Sequence, residues 1–336
     1  MTNYVQTAVA ATERDAGVTW HYGDPLREQR ALATGVGVID RSNRDVLVVP
    51  GEDRLAWLHS ICSQHVADLG DGDATESLVL SPHGHVEQHW QVTELNDTVW
   101  LDTEPGAAPD VLKYLQMMRF LKRVEPVDVT DQWAVLSLVG PASAELLALA
   151  GLPVPERAGR ATALDGGGLV RRMSWPGPDA ADLIVPRMSA TDVFDRLVQA
   201  GAAPTGLWAF EAARVEARRP RLGFETDHRT IPHEVGWIGP AVHLDKGCYR
   251  GQETVARVQN LGRPPRMLAL AHLSGETDVL PEPGTPVELA GRAVGFLGTA
   301  VHHYELGPVA LVVVKRNVPT DAALQVGEHT AQLDVG

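Results

Sequence analysis

The chain has 336 residues, of which 44% are hydrophobic and 21% charged, and a formal net charge of −14. That length suits two or three domains with real cores, and the negative charge opposes contact with nucleic-acid phosphates except through a local basic patch. Two cysteines, neither in a CxxC pair, exclude a disulfide framework and point to a reducing cytoplasm. No window approaches the roughly 18 uninterrupted apolar residues of a membrane span, and the N-terminus reads without a basic-then-apolar leader.

Residues 1–24 show little periodicity and read as an arm over the first domain. A helix is expected at 25–34, then a strand at 45–49 ending at the Pro50-Gly51 turn. An amphipathic helix follows at 52–63, with Leu55, Leu58 and Cys62 at spacings of three and four, which assigns Cys62 to packing. Strands at 77–80 and 86–94 flank the hairpin signal SPHGH, and another lies at 99–102. Alternation puts His85, Glu87 and His89 on one face, which is either a metal-ligating set or the polar outside of a half-buried hairpin.

A helix at 110–121 is expected to bury Leu112, Leu115 and Leu121, and 133–139 reads as a buried strand before a helix at 142–150. A hairpin at 171–175 and 182–185 precedes helices at 191–199 and 207–219. The latter contains AFEAARVEARR, whose charges, Glu216 apart, are expected mostly on a solvated face. After Pro220 the periodicity fades over a long irregular segment, the kind of loop that tends to carry function. From 266 onward, short alternating strands separated by glycine and proline turns predict a small antiparallel barrel or sandwich.

The irregular segment leads into DKGCYRGQE, which holds the second cysteine. In an extended chain Lys246, Cys248 and Arg250 point to one side. Two cations beside a sulfur favour the thiolate, and a helix starting near Gly251 would add its N-terminal field. The alternative is a small buried apolar Cys248 beside two solvated cations.

DKGCYRGQETVARVQNLGR resembles the K-G-C-Y-x-G-Q-E signature of the YgfZ family, folate-binding proteins related to the T-protein of glycine cleavage. GVGVIDRSNRDVLVVPGEDRLAWLHS is similar to the opening of the T-protein superfamily's first domain, and EAARVEARRPRLGFETDHRTIPHEVGW to its central folate segment. The resemblance implies an α+β fold: two intertwined α+β domains with antiparallel sheets forming a ring around a pocket, plus a C-terminal β-barrel. The implied boundaries are 1–130, with 205–262 packed against it, then a ferredoxin-like 131–204, and a barrel at 263–336.

The resemblance also implies a tetrahydrofolate-type ligand, with Glu216 accepting from the paired N–H donors of the pterin edge. Arg229, Arg257 and Arg263 are candidates by position for its glutamate tail. Tyr249, Gln252, Glu253 and Asp102 join the expected cofactor-binding set, with Gln252 and Glu253 orienting the loop. Cys248, Lys246 and Arg250 form the reactive group. The implied role is accessory: assembly or repair of iron–sulfur clusters, supporting enzymes such as tRNA methylthiotransferases, with any cluster shared with a partner because clusters usually take four thiolates. Expected partners are folate and iron–sulfur proteins or assembly factors, not a membrane and not nucleic acid directly.

The rival reading is a folate-dependent one-carbon transferase using Asp102 or Asp110. Against it, Gln88-His89 stands where aminomethyltransferases carry two adjacent acidic residues.

Overall fold

The computed structural model describes residues 6–177, 179–275 and 277–334. A ribbon of β1 (Val9–Ala10) and β2 (Thr19–His21) leads into α1 (Pro25–Thr34). Asp24 caps α1 by accepting from the Arg27 N–H, and Pro25 occupies the first turn, where a missing donor costs nothing. The chain continues through β3 (Gly37–Asp40), β4 (Asp45–Pro50), α2 (Arg54–Ile61), β5 (Ala74–Leu80), β6 (Val86–Leu95), β7 (Thr98–Thr103), α3 (Ala108–Met117) and β8 (Val127–Asp128). Strands β5-β6-β7-β4-β8, in that order, make an antiparallel sheet, and α2 and α3 cover one face through Trp57, Leu58, Val111 and Leu115.

The second sheet is built from β9 (Trp133–Val139), β10 (Arg160–Ala163), β11 (Leu169–Met173), β12 (Ala180–Pro186) and β13 (Ala203–Thr205), backed by α4 (Ser143–Leu149) and α5 (Ala190–Ala200). Its order is β10-β11-β12-β9-β3-β13, so β3, made before the first sheet, lies inside the second and intertwines the two. Within this sheet, among the described residues, only the β13–β3 pairing is parallel.

Helix α6 (Leu207–Glu216) follows, then an irregular stretch, then α7 (Gln252–Leu261). Arg266 pins that stretch to the barrel through Asp227 at 2.7 Å and Glu234 at 2.8 Å. The barrel, closed in the order β14-β17-β16-β15-β18-β19, comprises β14 (Arg266–Leu273), β15 (Pro286–Leu289), β16 (Arg292–His303), β17 (Gly307–Lys315), β18 (Leu324–Val326) and β19 (His329–Asp334). No helix of the described residues is long and apolar enough to cross a membrane.

Three local expectations are corrected. Helix α3 stops at Met117 rather than at 121; Phe120 takes a left-handed φ of 47° and Leu121 is 99% exposed, so it packs on nothing. A register shift between Val79 and Leu80 breaks the β6 alternation, so His85, Glu87 and His89 do not share a face: Glu87 faces Arg250, whereas His89 is buried against Glu76. Among the described residues no group of three His, Cys, Asp or Glu is placed to hold a metal ion. Finally, the charges of α6 other than Glu216 are not solvated, since Glu211 and Arg214 are 3% and 0% exposed.

Candidate functional site

Helix α6 has two working faces. Glu211 and Arg214, three residues apart, point into an ion network between the two sheets, while Ala209, Ala212, Ala213 and Glu216 line a cavity on the other side.

In the network Arg221 bonds Asp15 of the N-terminal arm at 2.6 Å, Glu104 at 2.8 Å and Glu211 at 3.4 Å. Arg214 binds Glu211 at 2.5 Å and Glu225 at 3.0 Å. Arg44 and Arg171 close on Asp102 at 2.7 Å and 2.5 Å, and Arg171 also reaches Asp182 at 2.9 Å. Burial alone would raise the Glu104 pKa, but the guanidiniums of Arg221 and Arg44 outweigh it and hold the carboxyl at about 2. Asp102 obeys the same balance: burial opposes its charge, Arg171 and Arg44 prevail, and its pKa falls. Asp102 is thus a fixed anion, 1% exposed and held between Arg44 and Arg171. At the edge of the network Glu76 accepts from His89 at 3.0 Å and from Arg219, and the His89 ring stacks on Trp237 at 5.0 Å.

The cavity on the other face of α6 measures about 310 Å³. Leu32 and Ala33 of α1, Val139 at the end of β9, and the alanines of α6 make it apolar; Gln29, Asp179, Glu216, His303 and Tyr304 supply its polar groups. Small residues on α6 create the space, because larger side chains there would fill it. Glu216 keeps a 55% exposed side chain and lies 3.4 Å from His303 Nε2. The guanidinium of Arg30, which is not itself part of the lining, sits 5.8 Å from the Tyr304 ring.

The cysteine loop lies elsewhere. Cys248 is exposed. Lys246 turns inward, 8% exposed, and its ammonium donates to the carbonyls of His59 (2.5 Å), Cys62 (2.6 Å) and Gln64 (3.0 Å). Those are the orphan acceptors at and beyond the C-terminal end of α2, where a cation is favoured. Arg250 turns to Glu87 at 2.9 Å. The expected pair of cations flanking the Cys248 thiol is therefore corrected: both are engaged with other partners, and Lys246 faces the neighbourhood of Cys62, whose thiol burial pushes up in pKa.

Residues 18–246 match the family described as the GCVT N-terminal domain. The chain belongs to that family. An aminomethyltransferase of Thermus thermophilus is 31% identical over 81% of this chain and 88% of that protein. One from Rubrobacter xylanophilus is 29% identical over 85% and 77%. A chloroplastic protein of Arabidopsis thaliana is 26% identical over 80% of this chain, which spans only 62% of that relative's length. The crystal structure of the glycine cleavage aminomethyltransferase T of Bartonella henselae superposes with a TM-score of 0.86 at 18% identity, covering 97% of this chain and 92% of that one; at that identity it speaks for the fold.

Within this GCVT-family fold the site residues expected from sequence scatter. Glu216 alone lines the cavity. Tyr249 is 9% exposed in an apolar cluster with Trp237 and Val242, its phenol pushed up to about 12 by burial. Gln252 accepts from the Tyr249 N–H at 3.0 Å and so holds the loop, while Glu253 is exposed in the first turn of α7. Arg229, Arg257 and Arg263 are all exposed, and none lines the cavity. Asp102 lies in the ion network and Asp110 on the surface. Tyr304, Gln29 and Arg30 were not singled out from sequence, and the adjacent His302-His303 carried little weight there because strand alternation puts the two on opposite faces.

Proposed function

We propose that this chain binds a tetrahydrofolate-type ligand at Glu216 and acts, as a YgfZ-type member of its family, in iron–sulfur cluster assembly or repair. The observation that carries the folate part is the placement of Glu216: a partly exposed carboxylate on the wall of a cavity whose floor is apolar and whose other polar groups are Gln29, Asp179, His303 and Tyr304. A cavity of about 310 Å³ is at the small end of ligand sites and suits a bicyclic pterin ring, with the rest of the molecule leaving through the open side. A carboxylate accepting two adjacent N–H donors fixes that ring's orientation. Arg30, whose guanidinium lies over the ring of the cavity residue Tyr304, is then the candidate cation for an acidic tail in place of Arg229, Arg257 or Arg263.

The cluster part is supported by Cys248: an exposed thiol on a loop anchored from both sides by Lys246 and Arg250, open to a partner that brings the remaining ligands. Such a partner is a cluster protein or assembly factor, and the beneficiaries are enzymes of the tRNA methylthiotransferase kind. An aminomethyltransferase-like one-carbon transfer is the second reading. Asp179, a second carboxylate on the same cavity, favours it; Asp102, clamped by two guanidiniums, does not.

Calorimetry with 5-formyltetrahydrofolate tests the site: Glu216→Ala is expected to weaken binding by roughly tenfold or more, since a bond to a charged group is lost. Equal affinity in the two proteins refutes the assignment. Cys248→Ala in a deletion strain separates the readings, because loss of tRNA methylthiolation supports the cluster role and full restoration removes it.

A further inference from the structure

The turn between β16 and β17 is tied to α1 by one side chain. Gln29, 3% exposed, donates through Nε2 to the His302 carbonyl at 2.9 Å and accepts through Oε1 from the Tyr304 N–H at 2.9 Å. The residue between those two, His303, is 4% exposed, and its Nδ1 accepts from the backbone N–H groups of Glu305 (3.3 Å) and Leu306 (3.2 Å). With two donors directed at Nδ1, the ring proton lies on Nε2. Nε2 is the atom 3.4 Å from Glu216 Oε2.

We infer that His303, held by Gln29, is a positioning residue that sets the plane of the Glu216 carboxylate and thereby makes the cavity selective for ring systems with two adjacent N–H donors. This rests on the folate reading above. A carboxylate oxygen has two lone-pair directions, so Oε2, drawn towards the Nε2–H by a 3.4 Å electrostatic contact rather than a full hydrogen bond, can still accept from a ligand. Glu216 ends α6 with a half-exposed side chain, and without a fixed donor its carboxylate rotates freely. A ligand with one donor tolerates that rotation; a ligand with two, side by side, does not. The barrel thus takes part in recognition, although the cavity walls otherwise come from α1, α6 and the strand ends.

The test compares two ligands on the full-length protein: 5-formyltetrahydrofolate and an analogue carrying methyl in place of the 2-amino group. The wild type is expected to prefer the first. In His303→Ala that preference should fall by about fivefold or more, whereas His303→Gln, which keeps a donor near the Nε2 position, should retain it. Gln29→Ala should move the preference the same way by a smaller factor, with thermal melts checking that each variant is folded. If His303→Ala weakens both ligands equally, or neither, the positioning role is wrong although Glu216 stands. If the wild type binds neither ligand, the folate reading fails and takes this inference with it.

Discussion

Replacing Glu104 by Gln tests the ion network most directly. Glu104 is 5% exposed, bonded to Arg221 at 2.8 Å and close to Arg44 at 3.4 Å. Its folded pKa of about 2 lies below the ordinary 4.5. A depressed carboxylate contributes stability that is fully present above the unfolded value and lost as pH falls towards the folded one. The difference is worth on the order of 3 kcal/mol, of which about 2 kcal/mol is gone by pH 3. Near neutral pH the variant leaves two buried guanidiniums short of charge, and the expected loss is about 3 kcal/mol or more. Urea unfolding of both proteins from near pH 7 down to pH 3 measures this. The gap between wild type and Glu104→Gln should be widest near neutrality and narrow steadily below pH 4.5, because only the wild type has a Glu104 charge to lose. A gap that is constant with pH, or a variant as stable as the wild type at pH 7, would refute the account of the network as a set of obligatory anions.

Two further outcomes concern the cysteine loop. In a mass-spectrometric time course near neutral pH, Cys248 should be alkylated far faster than Cys62, which is 2% exposed; Arg250→Ala should leave the Cys248 rate within about twofold and stability within about 1 kcal/mol, since its partner is the half-exposed Glu87. A large drop in alkylation on losing Arg250 would restore the cation-assisted thiolate. Lys246→Met should cost about 2 kcal/mol, because three carbonyls at the end of α2 lose their shared donor, and should speed limited proteolysis of the loop; unchanged digestion would show that the ammonium is not its anchor.

Much of the fold was legible where local chemistry and long-range packing agree. Asp24-Pro25 marks the start of α1, the apolar run 133–139 is the central strand β9, and the alternating segments after Arg266 close into the barrel. The site was less legible, for reasons that are themselves physical. Charges at helical spacing on α6 usually face water, and only the arrival of Arg221, Glu104 and Asp15 from distant parts of the chain makes burying Glu211 and Arg214 tolerable. Lys246 and Arg250 sit two residues from Cys248 in sequence, but the loop is not an extended strand, so proximity in sequence did not become proximity of charge. Glu216 was found through resemblance. His303 was visible only as half of the His302-His303 pair, because what ties its turn to the site is a glutamine almost the whole chain away.

The placement of β3 bears on how the protein is made. Residues 37–40 emerge from the ribosome early, yet their partners in the second sheet are residues 133–139 and 203–205. In between, the strands at 45–128 have all the neighbours they need to assemble one sheet by themselves. During synthesis β3 therefore waits, unpaired, while the sheet that follows it in sequence is completed, and a segment rich in Gly, Val and Ile has open edges throughout that interval. A nascent chain that ends before residue 133 leaves that edge without its native partner, and late non-local pairing of this kind exposes a chain to misassociation.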